Sequence, residues 1–427
     1  MTVDGLVALK AALTRTGLVA WRASEIASVL GRVGERFLDP DDPVRQSALR
    51  ELPAEAALSP ELATVILDGM AVDWTRPRLE ELLRAEFGEP EVLDGFAAES
   101  RQVMAFGPAL CVQISSGGVP GVSVNALIRS LLVKAPTLIK PGEGDVVLTR
   151  LFAEALAEAD PELAAAVAVP YWPGEEHELT AKAVEGADVV VAYGSDESVQ
   201  AVRDLVPVTT RFVPYHHRFG VGMVGRDALG AGDDDVAHDV ARAVAMFEHR
   251  GCVCPHVVFV EEGGAVVPER FAELVAEALD RLAGEWPGPD DRDVTDREAA
   301  ALGQARVTVE IHEAAGGARM LHGGAANWTV VFASDLVEVP ALPGRSVRIR
   351  PVADLADVPS ILRPAGRHLQ SVGYAGADGR IRTLAEALGR AGASRVVPFA
   401  HVSFPPAWWL HDGRGPLETL VRWVEVE

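Results

Sequence analysis

Hydrophobic residues recur at three- and four-residue intervals over the first hundred positions, the period of helices that pack against a core. From about residue 109, short runs rich in β-branched residues alternate with amphipathic stretches. Such alternation predicts a parallel, doubly wound sheet. The predicted helices cover 21–37, 59–70, 76–87, 123–133, 146–158 and 176–184, and the predicted strands cover 109–114, 137–139 and 188–192.

The same alternation returns after residue 234. Apolar residues on one face predict a helix over 235–247, HVVFV at 256–260 predicts a buried strand, and 268–283 predicts another helix. The turn between the first helix and the strand holds Cys252 and Cys254. Catalytic groups favour such turns, yet free cysteine is also among the most buried residue types, so the turn alone fits either a reactive thiol or a core residue.

The composition limits the class of protein. A chain of 427 residues exceeds what one core supports, which predicts two or three lobes with a cleft between them. The net charge of −23 opposes binding to nucleic acid or to an anionic membrane surface. We expect no signal peptide, no membrane span, no disulfide framework and a cytoplasmic location. The CxC pair lacks further ligands at fixed spacing, so no metal site is expected.

Several segments, taken in order and spacing, resemble the LuxC-type acyl-CoA reductases of the aldehyde dehydrogenase superfamily. The resemblance implies an α/β, aldehyde dehydrogenase-like fold: two doubly wound parallel-sheet lobes, a helical N-terminal segment and a small interaction element. The expected division is 1–100 for the helical segment, 101–218 for the nicotinamide cofactor lobe, 219–394 for the catalytic lobe and 395–427 for a segment that returns to the cofactor lobe or an interface. The segments that carry the resemblance are 93–96, 117–121, 125–129, 139–141, 252–256, 350–352, 368–373, 411–414 and 420–424.

The resemblance implies that Cys252 is the nucleophile, with an apolar Val260 eight positions later and Cys254 at a position usually held by serine. Its thiolate would attack an acyl thioester, and hydride from a reduced nicotinamide would then give an aldehyde. Residues 213–219 contain no acid where hydrolytic aldehyde dehydrogenases carry a water-activating glutamate, which favours thioester chemistry. His217 in this stretch is expected either to orient or exchange protons with the substrate, or to be a structural surface histidine.

The chain departs from the family at the oxyanion loop. The family places an asparagine amide there, and this sequence has Gly118 instead. Loss of one such donor typically costs on the order of a hundredfold in rate. Ser115, Ser116 or a backbone N–H must therefore substitute, or activity is reduced or altered.

The expected cofactor residues lie in two short segments. Lys140 and Glu143 match the positions that hold the adenosine ribose, and Gly194 and Ser195 match a turn that opens a helix beneath the pyrophosphate. The resemblance favours NADPH, whereas Glu143 would repel a 2′-phosphate and favours NADH, so the sequence leaves both open.

The expected partners are an acyl-CoA or acyl carrier protein substrate, an acyl-protein synthetase and further copies of the chain in a homo-oligomer. Two alternatives stay open. One is a Cys-dependent acyltransferase or thioesterase without hydride transfer. The other is a noncatalytic scaffold of an acyl-activating complex, which the missing asparagine makes conceivable.

Overall fold

The computed structural model describes residues 1–96, 102–230, 234–288, 318–323, 328–333 and 344–427, together with the single positions 303, 307, 310 and 313. The chain divides into two compact units. The first comprises 1–56, 63–217 and 406–427, and the second comprises 57–62 and 218–405. No helix in the described ranges combines the length and apolar character needed to cross a membrane.

The first unit is built on a five-stranded parallel sheet, as the alternating pattern predicts. Its spatial order is β4-β3-β2-β5-β6. The strands are β2 Cys111–Ile114, β3 Thr137–Lys140, β4 Val167–Ala168, β5 Val189–Tyr193 and β6 Arg211–Tyr215. The helices that connect them are α6 Val122–Leu132, α7 Val146–Ala159, α8 Pro161–Ala164, α9 His177–Val184 and α10 Asp196–Leu205.

The order of these strands reverses between β2 and β5. The chain runs outward from β2 to β4 and then returns to place β5 on the other side of β2, with Cys111 opposite both Thr137 and Val189. In open α/β sheets, ligands bind beyond the carboxyl ends of the strands at such a reversal. The fold therefore directs attention to the loops that follow β2 and β5.

Helices dominate the first 96 residues, as the apolar periodicity predicts. Phe37, Trp74 and Phe152 form an aromatic cluster whose ring centroids lie 5.3 to 5.9 Å apart, and this cluster joins the helical segment to α7. The apolar pattern did not predict the first and third helices, the latter with Pro53 in its interior. The helices are α1 Val3–Leu13, α2 Ala23–Arg36, α3 Pro43–Ala56, α4 Pro60–Ala71 and α5 Arg76–Phe87.

A two-stranded antiparallel ribbon completes the first unit. β1 Gln102–Phe106 pairs with β14 Arg422–Val426, with Met104 opposite Val424. The backbone N–H groups of Leu417 and Glu418 also donate to the Glu86 carboxylate. Residues distant in sequence therefore close this unit.

The second unit contains a seven-stranded sheet in the order β13-β12-β7-β8-β11-β10-β9, parallel except for the antiparallel β9. The β-branched composition of its central strands suits burial on both faces. Its strands are β7 Phe219–Val224, β8 Pro255–Glu261, β9 Ala318–His322, β10 Trp328–Ala333, β11 Arg345–Val352, β12 Leu369–Ala375 and β13 Arg395–Pro398. Its helices in the described ranges are α11 Asp234–Ala245, α12 Pro268–Glu285, α13 Val358–Leu362 and α14 Asp378–Ala391.

The two sheets give the aldehyde dehydrogenase-like α/β architecture that the resemblance implies. The chain passes from the first unit to the second between His217 and Arg218. Residues 395–405, which the sequence groups with the last segment, cluster with the second unit because β13 pairs with β12.

Candidate active site

The loop after β2 packs directly on the loop after β3. A Cβ added at Gly117 would lie 1.4 Å from the Glu143 carbonyl oxygen, and one added at Gly142 would lie 2.2 Å from the Gly117 nitrogen. Only glycine permits this approach. Ser116 and Gly118 are half-buried, while Ser115 is buried, with its hydroxyl 3.5 Å from the Ser116 carbonyl oxygen.

Lys140 ends β3 beside these glycines. It is buried, and burial lowers the pKa of its ammonium, although the charges of Glu175 and Glu143 act in the opposite direction. The ammonium lies 5.7 Å from the ring centroid of Tyr171. A partly desolvated cation at the carboxyl end of a strand suits a hydroxyl or phosphate ligand.

Gly194 and Ser195 follow β5 on the other side of β2. The Ser195 hydroxyl accepts the Ser198 N–H at 3.2 Å and so caps α10. Asp196 lies in the first turn of that helix, and its carboxylate accepts the backbone N–H of His217 at 3.2 Å. The acids of this turn already oppose much of the positive end of the helix dipole, which weakens it as an anion site. Of the two predicted cofactor segments, the first contains a cation, Lys140, whereas the first turn of α10 after Ser195 contains acids.

The second unit carries the two clustered cysteines in a tight turn. Cys254 donates its backbone N–H to the Gly251 carbonyl at 3.0 Å, which closes the turn 251–254. The Cys254 thiol is buried, lies 3.4 Å from the Met246 carbonyl oxygen and has its pKa raised to about 12 by burial. Cys252 is partly exposed. The third thiol, Cys111, is buried in β2, and burial raises its pKa to about 12 as well.

A run of left-handed residues precedes this turn. Phe247, Glu248 and His249 have φ values of 56°, 52° and 63°, and none of them is glycine. Each such residue costs roughly 1–2 kcal/mol, so surrounding contacts must hold the run. The side chain of Arg345 provides one, because its guanidinium binds both carboxylate oxygens of Glu248.

His249 is buried, and its Nε2 lies 3.3 Å from Nδ1 of His256. Burial, with a smaller contribution from His256, lowers the pKa of His249 well below its usual value. His249 therefore stays neutral near pH 7 and supplies no positive charge to the cysteine turn.

Each unit thus gathers part of the predicted set. The first unit brings together Ser116, Gly118, Lys140 and Glu143, and it joins the Ser195 turn to His217. The second unit presents Cys252. Sequence reasoning missed Glu248 and Arg345, since a buried ion pair that spans 97 positions leaves no local pattern.

The two sheets and the strand-order reversal give the chain an aldehyde dehydrogenase-like α/β fold. The model of the acyl-CoA reductase (LuxC) family matches residues 18–423. This chain belongs to that family.

Curated relatives and solved structures agree. The chain is 23% identical over 411 residues to the long-chain acyl-protein thioester reductase of Aliivibrio fischeri, covering 95% of this chain and 82% of the relative. It is 22% identical over 415 residues to the enzyme of the same name from Photorhabdus luminescens, covering 94% and 82%. In fold, it matches an NAD-dependent benzaldehyde dehydrogenase from Corynebacterium glutamicum with a TM-score of 0.75, at 16% identity and with 100% and 91% of the two chains covered. The NAD-dependent aldehyde dehydrogenase from Sinorhizobium meliloti gives 0.76, at 15% identity and with 100% and 87% covered.

Proposed function

We propose that this reductase converts an acyl thioester into an aldehyde through an acyl-enzyme on Cys252. The Cys252 thiolate attacks the thioester carbonyl carbon, the new carbon–sulfur bond forms, and the bond to the carrier sulfur breaks to release the carrier thiolate. When bound, NAD(P)H would supply the hydride that reduces the acyl carbon. The thiohemiacetal on Cys252 then collapses, which releases the aldehyde and regenerates the thiolate.

The contrast between the two neighbouring thiols carries this proposal. Only the thiolate is nucleophilic, and burial without a positive partner suppresses it. Cys254 is buried with a pKa of about 12, whereas Cys252, two residues away, is partly exposed. This contrast favours Cys252, and it does not depend on the family pattern.

The sequence stretch that contains His217 favours reduction of the acyl-enzyme by hydride over its hydrolysis by water. The stretch from Val213 to Phe219 contains no carboxylate that would activate water against the acyl-enzyme. His217 is exposed and held through its backbone by Asp196. We assign His217 a role in orienting the substrate or exchanging a proton with it.

The oxyanion would be stabilised without the usual amide. Gly118 offers only its backbone, so we assign the second donor to Ser116 or to a backbone N–H of the loop 115–118. This loop is rigid because Gly117 packs against Glu143, and rigidity is what an oxyanion donor requires.

Lys140, Glu143, Gly194 and Ser195 would hold the nicotinamide dinucleotide. Lys140 would bind the adenosine ribose together with Glu143. Two acids, Glu143 and Glu175, act on Lys140 and would oppose a 2′-phosphate, while family membership favours NADPH. The acyl carrier is coenzyme A or a protein. The family is described as an acyl-CoA reductase, and the curated relatives are named acyl-protein thioester reductases.

The test is intact mass spectrometry after incubation with a long-chain acyl-CoA, with and without NADPH, alongside nicotinamide absorbance. We expect an acyl adduct on the wild type that disappears with NADPH, no adduct on Cys252→Ala and a normal adduct on the matched Cys254→Ser. Release of coenzyme A without nicotinamide oxidation would identify an acyltransferase or thioesterase. Unchanged aldehyde formation by Cys252→Ala would refute the assigned nucleophile.

A further inference from the structure

The left-handed run before the cysteine turn is the most strained described segment near Cys252. Phe247, Glu248 and His249 are buried, and each adopts a backbone conformation that side chains with a Cβ disfavour. Nothing local to the run explains this, since the run contains no glycine or asparagine. Its geometry must be imposed by contacts from other elements.

One such contact comes from Arg345, at the first residue of β11. Its Nε donates to Glu248 Oε2 at 2.9 Å, its Nη2 donates to Glu248 Oε1, and its Nη1 donates to the Trp286 carbonyl at 2.7 Å. The side chains of Arg345 and Glu248 are 1% and 8% exposed. A bidentate pair fixes the direction as well as the distance between its partners, which a lysine or a single hydrogen bond does not.

The strand that carries Arg345 is also tied to the strand that follows the cysteines. β11 pairs in parallel with β8, with Arg348 opposite Val257. The turn is therefore held at both ends by the same strand, by the ion pair at Glu248 before it and by the sheet after it. Both connections therefore constrain the intervening residues.

The run transmits its geometry into the turn through short contacts. The Arg250 N–H donates to the Phe247 carbonyl at 3.1 Å. A Cβ at Gly251 would lie 3.1 Å from the Phe247 ring and 3.2 Å from the Cys254 sulfur, so Gly251 is enclosed between them. A shift of Phe247 or Glu248 must move Gly251, and Cys252 is the next residue.

We infer that Arg345 is a positioning residue for Cys252: its bidentate pair with Glu248 holds the left-handed run that sets the direction of the thiol. The inference rests on the proposed function for its purpose, since a nucleophile needs a fixed line of attack. The pair acts through the backbone of the run from Phe247 to His249. This role explains why the chain buries an ion pair, although such a pair often adds little to the free energy of unfolding.

The test separates positioning from folding. In Arg345→Met/Glu248→Leu, apolar side chains replace both charges, a change that is often neutral for stability. We expect its melting temperature to stay near that of the wild type, while the rate of Cys252 alkylation by iodoacetamide, followed by peptide mass mapping, changes by about tenfold or more. We also expect kcat to fall with KM little changed. The matched control Arg270→Met/Glu273→Leu removes an exposed ion pair on α12 and should leave the alkylation rate unchanged.

Two further variants keep the inference falsifiable if the double variant fails to fold. Glu248→Gln preserves the shape of the side chain and should give an intermediate change in the alkylation rate. Arg345→Lys keeps the charge without the bidentate contact and should show more than half of the change seen in the double variant. Unchanged alkylation and kcat in any folded variant that lacks the bidentate pair would overturn the inference. The alkylation rate does not depend on reductase activity. If Cys252 is not the nucleophile, Cys252→Ala stays active, and that result is separate from any change in the alkylation rate.

Discussion

The Asp145 carboxylate accepts the backbone N–H of Gly121 at 2.6 Å and so caps α6 from a different loop. Gly121 occupies the N-cap position with a φ of 90° and has no side chain to accept this bond. The same carboxylate accepts the Ser123 N–H at 2.7 Å. One buried acid thereby fixes the loops that follow β2 and β3, where the proposed oxyanion and ribose residues lie.

This acid should make stability depend on pH. Burial raises the pKa of Asp145 from 3.8 to about 7, although its hydrogen bonds act in the opposite direction. Between these two values the folded state binds the proton more tightly than the unfolded state, so stability falls as the pH rises. From about pH 5 to about pH 8 we expect Asp145 to reduce the free energy of unfolding by roughly 2–3 kcal/mol.

Chemical denaturation across that range measures the effect. Asp145→Asn keeps a neutral side chain at every pH, so its stability should vary less with pH than that of the wild type. An identical slope in the two proteins would show that Asp145 is not the group that titrates.

Gly117→Ala should damage the loop after β2. The added Cβ would overlap the Glu143 carbonyl, which belongs to backbone and cannot rotate away. We expect a loss of roughly 2–3 kcal/mol in the free energy of unfolding. Gly95→Ala is the matched control, since no heavy atom lies within 4 Å of its added Cβ, and thermal unfolding compares the two. Equal stability of both variants would mean that the two loops separate at little cost.

Gly118→Asn should raise kcat by restoring the amide that the family places in this loop. One added oxyanion donor is worth on the order of tenfold to a hundredfold in rate, which steady-state kinetics with an acyl-CoA would show. Ser116→Ala should lower kcat in the wild type and have a smaller effect when combined with Gly118→Asn. If Gly118→Asn leaves kcat unchanged, the loop already holds a sufficient donor.

Glu143→Gln should shift the cofactor preference towards NADPH. Removal of a carboxylate near Lys140 reduces repulsion of a 2′-phosphate, and we expect the ratio of kcat/KM for NADPH over NADH to rise about tenfold. Glu178→Gln, an exposed change on α9, should leave the ratio unaltered. A ratio that stays constant in both variants would place the ribose elsewhere.

Much of the fold follows from local patterns. The apolar periods around Val112, Val190 and Val240 predicted their strands and helix because each element buries one regular face or a short β-branched run. The pattern for α3 failed because Pro53 and scattered apolar residues obscure its period. The pairing of β1 with β14 has no local signal at all, since register between distant strands depends on the tertiary fold.

The candidate site, too, was predictable only in part from the sequence. Cys252 was predictable as a residue in a turn between helix and strand, but its difference from Cys254 depends on burial, which alternates within two residues. The left-handed backbone at Glu248 was unpredictable because no glycine marks it. Arg345 lies 97 positions away from its partner, and only folding brings the two together.

The first unit contains residues from the beginning, the middle and the last 22 positions of the chain. During synthesis, β1 therefore leaves the ribosome more than three hundred residues before its partner β14. Until then its edge is unpaired, and the Glu86 carboxylate lacks the N–H groups of Leu417 and Glu418. Synthesis thus completes the second unit before the first. A ribosome stalled after Pro405 would hold a chain that contains all five strands of the first unit's sheet but cannot yet form its β1–β14 ribbon.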